Sequence, residues 1–294
     1  AVLPTNPSGP RVKLFTVLGG ATGFTIGLIA VFILATTRTG FGHPAQIEQA
    51  TGIPVLTSLP IGSWRNLQGM LHSLRRTPYQ LFAERLRQLR TALLLGREVD
   101  TGKKLVITSS VHGEGKTTTA VALSYVAALA KRSCVLVDFD VRNSKLARNL
   151  DYDAPGDLAE YLRGNCKLED TIHHVSRYGF DLITSKQPDP RLVDDIAPKL
   201  WSDLLGELQS RYDLVVIDTS PVLLYSDSIL FARLADQTLL LVRQNATNRQ
   251  EIMEAIRSLE EMGASSINAI MTMVDTRTES GAIGISSRRG HVPS

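Results

Sequence analysis

The chain has 294 residues, enough for one large or two modest domains with a full core and no need of cross-links. Its 32 Lys and Arg against 29 Asp and Glu leave a net charge of +3, no concentrated basic field, and so argue against a nucleic-acid partner. Apolar residues at 43% and charged residues at 21% exclude a disordered chain.

Two cysteines, Cys134 and Cys166, are too few for a disulfide framework and lie in no metal-ligand spacing, which points to a reducing compartment. The chain begins at Ala1 rather than Met and reads as part of something longer. Residues 1–13 hold LPTNPSGP, too rich in proline for a helix, and read as an extended lead-in.

From Leu14 to Thr37 there is no charged residue. As a helix this stretch would measure about 36 Å, enough for a hydrocarbon core of roughly 30 Å, so 14–37 is expected to span a membrane. Gly19, Gly23 and Gly27 recur every four residues, a stripe that lets a second helix approach closely. Arg11 and Lys13 before the stretch and Arg38 after it set no orientation.

Residues 38–78, punctuated by Pro44, Pro54 and Pro60, read as a connecting linker. A helix is expected from Tyr79 to Leu95, with Leu81, Leu86, Leu89, Leu93 and Leu94 on its apolar side. Strand and helix patterns then alternate. Lys104–Ser110, Cys134–Asp140, Asp181–Ser185, Leu214–Asp218, Thr238–Arg243 and Ile267–Val274 read as strands. Thr117–Ala130, Arg191–Arg211 and Asn248–Met262 read as helices. Continuous apolar strands separated by helices predict a doubly wound α/β domain, a parallel sheet with helices on both faces, over 79–275. His173 and His174 read as surface helix residues, and Trp64 and Trp201 as packing residues. The tail 276–294, polar and bearing glycine and serine, reads as disordered.

The chemistry sits at three strand ends. Ser110-Val111-His112-Gly113-Glu114-Gly115-Lys116-Thr117 has the phosphate-loop pattern G-x-x-x-x-G-K-[ST], with serine in place of the first glycine. Gly113 and Gly115 let backbone N–H groups turn inward around phosphate oxygens, and the following helix adds its positive end. Lys116 is placed to reach the outer phosphates and the Thr117 hydroxyl to join a Mg²⁺ shell. Asp138 and Asp140 close one strand and Asp218 another. Carboxylates at the carboxyl ends of parallel strands lie on the edge where open α/β sheets bind ligands, where they can hold Mg²⁺ or take a proton.

The phosphate loop, Asp-x-Asp-x-Arg at Asp138–Arg142 and Asp-x-x-Pro at Asp218–Pro221 together resemble the bacterial tyrosine kinases, relatives of the MinD and ParA ATPases. The proline-rich lead-in, the glycine-bearing span and GIPVLTSLP resemble the second membrane helix and juxtamembrane linker of the polysaccharide co-polymerases that carry such kinases. Glu84, Arg87 and Arg90 match the family's Glu-x-x-Arg-x-x-Arg motif.

The resemblance implies an ATP-dependent protein-tyrosine kinase, anchored in the bacterial inner membrane with residues 1–13 periplasmic and the kinase domain cytoplasmic. It would regulate exopolysaccharide polymerisation and export. ATP and Mg²⁺ would be its cofactors, with Gly113, Glu114, Gly115, Lys116, Thr117, Thr118 and Arg142 contacting nucleotide. Thr117, Asp138, Asp140 and Asp218 would serve the metal; Lys116, Asp138 and Asp140 would be catalytic, with Asp138 as the base. Glu84, Arg87 and Arg90 would join subunits into a ring. The implied partners are the membrane, the polysaccharide polymerase and export machinery, and a phosphatase.

The chain departs from the family pattern in three places. All seven tyrosines lie at or before Tyr225, so the tail lacks the family's tyrosine cluster. Thr272 stands where the family has asparagine near the nucleotide base, and Ser220 replaces the first proline of a Pro-Pro pair. Two alternatives stay open. One is an ATP-binding scaffold for polysaccharide export; the other is a ParA- or MinD-type ATPase, against which Val111 stands where those proteins carry lysine.

Overall fold

A computed structural model describes residues 12–36, 40–77, 80–94 and 102–275. The expected lead-in, apart from its last two residues, and the expected tail lie outside them, as does Tyr79. The chain divides into two compact units, Ala1–Thr39 and Gly40–Ser294.

In the first unit the backbone is helical over α1 (Val12–Thr36). Side chains are described from 15 to 29, and Phe15, Val17, Leu18, Phe24, Ile26, Leu28 and Ile29 are all exposed. A Cβ built on Gly19, Gly23 or Gly27 meets nothing within 4 Å. Among the described residues, no helix is long and apolar enough to cross a membrane.

The second unit opens with α2 (Pro44–Thr51), β1 (Val55–Pro60), α3 (Leu67–Arg76) and α4 (Leu81–Leu94). The described residues of the expected linker 38–78 thus hold two helices and a strand, and Gly40 opens the second compact unit. Two of the linker's prolines have a structural place. Pro44 starts α2, where its missing N–H costs nothing, and Pro60 ends a strand on the sheet's edge. Asn66 caps α3 by accepting from the Gly69 N–H at 2.8 Å. Met70, Leu71 and Leu74 are buried from α3, and Trp64 packs on Phe82 of α4 with ring centroids 4.7 Å apart.

The alternating part follows in the expected order. It runs β2 (Lys103–Ser109), α5 (Lys116–Leu129), β3 (Cys134–Asp138), α6 (Leu146–Asn149), α7 (Leu158–Leu162), β4 (His173–Val175) and β5 (Phe180–Ile183). Then come α8 (Leu192–Asp195), α9 (Pro198–Arg211), β6 (Leu214–Asp218), α10 (Asp227–Leu234), β7 (Gln237–Arg243), α11 (Arg249–Glu261) and β8 (Ile267–Val274). The helix expected over Arg191–Arg211 is broken in two, because Ile196 and Ala197 are extended before Pro198 begins α9.

His173 and His174 are corrected from helix to strand: they open β4, which pairs antiparallel with β5. Their imidazoles face Asp153 at 2.5 Å and Asp181 at 2.7 Å. The sheet has eight strands in the order β1-β8-β7-β2-β6-β3-β5-β4, parallel except for the β4–β5 pair.

Alternation along the strands explains their continuous apolar runs. Leu105, Ile107, Leu136 and Val216 join one core with α3, α4 and α5. Val106, Val135, Val137 and Ile217 join another with α7 and α9, where Trp201 is fully buried against Phe139 and Phe231. A strand buried on both faces has no polar side to show. Cys134 and Cys166 are free thiols.

Candidate nucleotide and catalytic site

The parallel strands β2, β3 and β6 deliver three pieces to one sheet edge. After β2 the chain turns at Gly113 (φ 81°) and Gly115 (φ 91°). A built Cβ on Gly113 would meet nothing within 4 Å, so glycine is required there by backbone conformation and not by space. The turn feeds directly into α5, whose first N–H groups face the loop.

The cavity at this edge has a volume of about 280 Å³. His112, Gly113, Gly115, Lys116, Thr117 and Thr118 line it from the phosphate loop and α5, with Asp138, Asp140 and Asp218 from the strand ends. Asn143, Lys145, Leu146 and Asn149 complete it from the segment after β3, and Leu67 from α3. The Lys116 amine donates to Ser109 Oγ at 3.1 Å. Burial pulls its pKa down, while Asp218, Asp140 and Glu114 push it back up.

The three carboxylates differ in their partners. Asp138 accepts from the Ser144 hydroxyl at 2.7 Å, the Thr184 hydroxyl at 2.9 Å and the Asp140 N–H at 3.1 Å. Burial nonetheless pushes its pKa up to about 6. Asp140 Oδ1 accepts from Ser220 at 2.7 Å, so serine in place of proline adds a hydrogen bond here. Asp218 is held by the Thr117 hydroxyl, and burial followed by the charge of Asp138 drives it well above the usual carboxylate range. Its Oδ1 is buried with no hydrogen-bond partner among the described residues. Such an orphan is costly and calls for a ligand.

These residues fit Mg²⁺ bound with a nucleotide. Among the described residues, no three His, Cys, Asp or Glu side chains converge to hold a metal by themselves. Mg²⁺ needs only one or two carboxylates when phosphates supply its other oxygens. The Thr117 hydroxyl and the orphan oxygen of Asp218 meet that requirement.

Two expected nucleotide contacts point elsewhere. The Glu114 carboxylate is 1% exposed and does not line the cavity. It accepts from the Val111 N–H at 3.0 Å, the Arg243 N–H at 3.0 Å and the Thr247 hydroxyl, clamping the phosphate loop to the end of β7. Thr272, on β8, donates to the Glu114 carbonyl at 2.8 Å and so braces the same loop.

Arg142 also lies off the cavity lining. Its Nε donates to Asp227 at 2.9 Å, and its guanidinium sits 5.1 Å from the Tyr225 ring centroid.

Sequence reasoning missed Asn143, Lys145, Leu146, Asn149 and Leu67. The first two directly follow the Asp-x-Asp-x-Arg motif, which was a usable signal; Leu67 comes from the segment taken for a linker. On α4, away from the lining, Glu84 pairs with Arg87 at 2.9 Å and Arg90 donates to the Val126 carbonyl at 3.2 Å.

A family model described as an AAA domain matches residues 102–272, from the start of β2 into β8. The chain belongs to the AAA domain family. Its similar proteins include bacterial ones named as tyrosine-protein kinases. It is 30% identical over 292 residues to the putative tyrosine-protein kinase EpsB of Ralstonia solanacearum, covering 95% of this chain and 38% of that one. It is 28% identical over 295 residues to the tyrosine-protein kinase etk of Escherichia coli K12, covering 94% and 40%. The chain thus spans less than half the length of these curated relatives.

The solved kinase domain of Escherichia coli ETK superposes with a TM-score of 0.73 at 28% identity, covering 80% of this chain and 95% of that one. MinD of Pyrococcus horikoshii, complexed with Mg-ADP, shares the fold at a TM-score of 0.50 and 23% identity, over 57% and 69% of the two chains.

Proposed function

We propose that this chain is the ATP-dependent protein-tyrosine kinase portion of a bacterial exopolysaccharide regulator. The observation that carries the reading is Asp218, whose buried, partnerless Oδ1 stands beside the Thr117 hydroxyl at the mouth of a glycine-turned phosphate loop. The named tyrosine kinases among its relatives support the same activity.

In this reading the loop N–H groups and Lys116 hold the outer phosphates of ATP, and Thr117 and Asp218 orient the metal end of the nucleotide. Bound Mg²⁺ supplies charge neutralisation between the outer phosphates. Asp138 accepts the tyrosine proton; a buried carboxylate with a pKa raised to about 6 is a better base near neutral pH than an ordinary one. Asp140 assists at the metal. Positioning and charge carry most of the rate, because phosphoryl transfer asks little covalent help of the protein.

The uncharged stretch Leu14–Thr37 would anchor the chain in the inner membrane, leaving the nucleotide site in the cytoplasm where ATP is found. Glu84, exposed on α4, and its half-buried partner Arg87 would meet a neighbouring copy, with Arg90 fixing α4 to α5 behind them. Polysaccharide polymerase, export machinery and a phosphatase would be its partners. A second reading is an ATP-gated scaffold without transfer.

The test of the site is ADP affinity with and without Mg²⁺. Mg²⁺ is expected to tighten ADP binding at least tenfold, a gain lost in Asp218→Asn. Equal affinity with and without the metal would overturn the assignment.

A further inference from the structure

The segment after Asp218 runs along the phosphate loop instead of leaving the sheet edge. The Val222 N–H donates to the Ser109 carbonyl at 2.8 Å and the Leu223 N–H to the Ser110 carbonyl at 3.3 Å. These bonds stitch it to the residues that open the loop. Tyr225 follows, half-buried, its N–H on the Pro221 carbonyl at 3.2 Å. Its ring lies edge-on to His112, with centroids 6.3 Å apart, and His112 lines the nucleotide cavity. Among the described residues the Tyr225 hydroxyl has no hydrogen-bond partner.

The other described tyrosines are placed differently. Tyr125 is buried under the sheet, edge-on to Tyr178, which precedes the amino end of β5. Tyr212 precedes β6, at the sheet edge opposite the cavity, and its hydroxyl donates to Asp181 at 2.7 Å. The Tyr152 hydroxyl donates to the Thr171 carbonyl at 2.6 Å. Tyr161 sits on α7 against the second core. Tyr225 alone among them combines a ring beside the phosphate loop with an unengaged hydroxyl.

A cation already waits there. The Arg142 guanidinium stands 5.1 Å from the Tyr225 ring centroid, held by Asp227. A phosphate on this ring would add a dianion within reach of that guanidinium, a charge-assisted pairing that orders a segment.

We propose that Tyr225 is a phosphoacceptor of this chain's own kinase activity, with Arg142 receiving the product phosphate. The proposal rests on the kinase reading above. In the step, the Tyr225 phenolic oxygen attacks the γ-phosphorus of ATP and forms a new P–O bond. The bond from that phosphorus to the β,γ-bridging oxygen breaks, and ADP leaves with its electrons. The phenolic proton passes to a carboxylate of the site.

The full chain is incubated with Mg²⁺ and ATP labelled at the γ-phosphate, with a random glutamate–tyrosine copolymer as a second acceptor, and label is mapped by peptide sequencing. Label is expected in the peptide holding Tyr225 and absent from it in Tyr225→Phe, which keeps the ring against His112 and Arg142. Label on the copolymer or on another tyrosine, with none at Tyr225 of the wild type, overturns this proposal and leaves the kinase reading standing. Label on neither the chain nor the copolymer overturns the kinase reading and the Tyr225 assignment with it.

Discussion

Asp138 and Asp218 are register partners on the adjacent parallel strands β3 and β6, so the fold itself sets two buried carboxylates side by side. Burial disfavours both charges first; the charge of Asp138 then raises the cost of ionising Asp218, and that of Asp140 the cost of ionising Asp138. The sheet register, and not a flexible loop, therefore sets these carboxylates together and gives a cation something to relieve.

This has a pH signature in the nucleotide-free protein. With its folded pKa raised to about 6, Asp138 binds a proton more readily folded than unfolded. Its favourable contribution is full below the ordinary carboxylate pKa of about 4 and is lost as pH rises through about 6. Asp138→Asn is expected to raise the urea midpoint at pH 8, with the advantage over wild type shrinking toward pH 4. A variant less stable than wild type at pH 8 would show that the hydrogen bonds from Ser144 and Thr184 outweigh the buried charge.

Glu114 holds the phosphate loop from behind. Glu114→Ala leaves the N–H groups of Val111 and Arg243 without their acceptor and should cost about 0.5–1.5 kcal/mol per lost hydrogen bond. Amide exchange is expected to quicken at both Val111 and Arg243, and ADP affinity to fall. Thr272→Ala, which removes one hydrogen bond to the Glu114 carbonyl, should cost about 0.5–1.5 kcal/mol in the same direction. Unchanged exchange at Val111 in Glu114→Ala would refute the clamp.

Arg142 and Lys116 separate cleanly in a binding measurement. Lys116→Ala should weaken ADP about tenfold or more, equivalent to about 1.4 kcal/mol. Arg142→Ala should leave ADP affinity within about twofold, a change below about 0.5 kcal/mol, because Arg142 lies off the nucleotide cavity's lining. Calorimetric titration of both variants decides the point, and a tenfold loss in Arg142→Ala would return that residue to the nucleotide.

The segment before α4 is part of the fold. Leu71 is fully buried in the same core as α4 and α5, so Leu71→Ala should cost about 2–5 kcal/mol in denaturant unfolding. A residue on a mere connector would change stability by no more than about 0.5 kcal/mol.

The sheet's middle was legible because β2, β3, β6 and β7 are buried on both faces, and doubly buried strands read as unbroken apolar runs. The loop glycines, Lys116, Thr117 and the three aspartates were legible because their chemistry is local to strand ends.

The rest depended on contacts far apart in sequence. Nothing near Arg142 announces Asp227, and nothing near Glu114 announces Arg243 or Thr247. The prolines at 44, 54 and 60 read as breaks, although Pro44 begins α2 and Pro60 closes β1. The three-residue β4 is too short and too polar to show an alternating pattern, so His173 and His174 could not be seen as strand.

The most direct test of the account is phosphoamino-acid analysis of the full chain after incubation with Mg²⁺ and ATP labelled at the γ-phosphate, with Lys116→Ala in parallel. Label recovered as phosphotyrosine in the wild type and absent from the variant is the predicted result. Bound nucleotide with no phosphotyrosine formed, on the chain or on an added tyrosine copolymer, would contradict the kinase assignment and leave the ATP-gated scaffold as the function of this site.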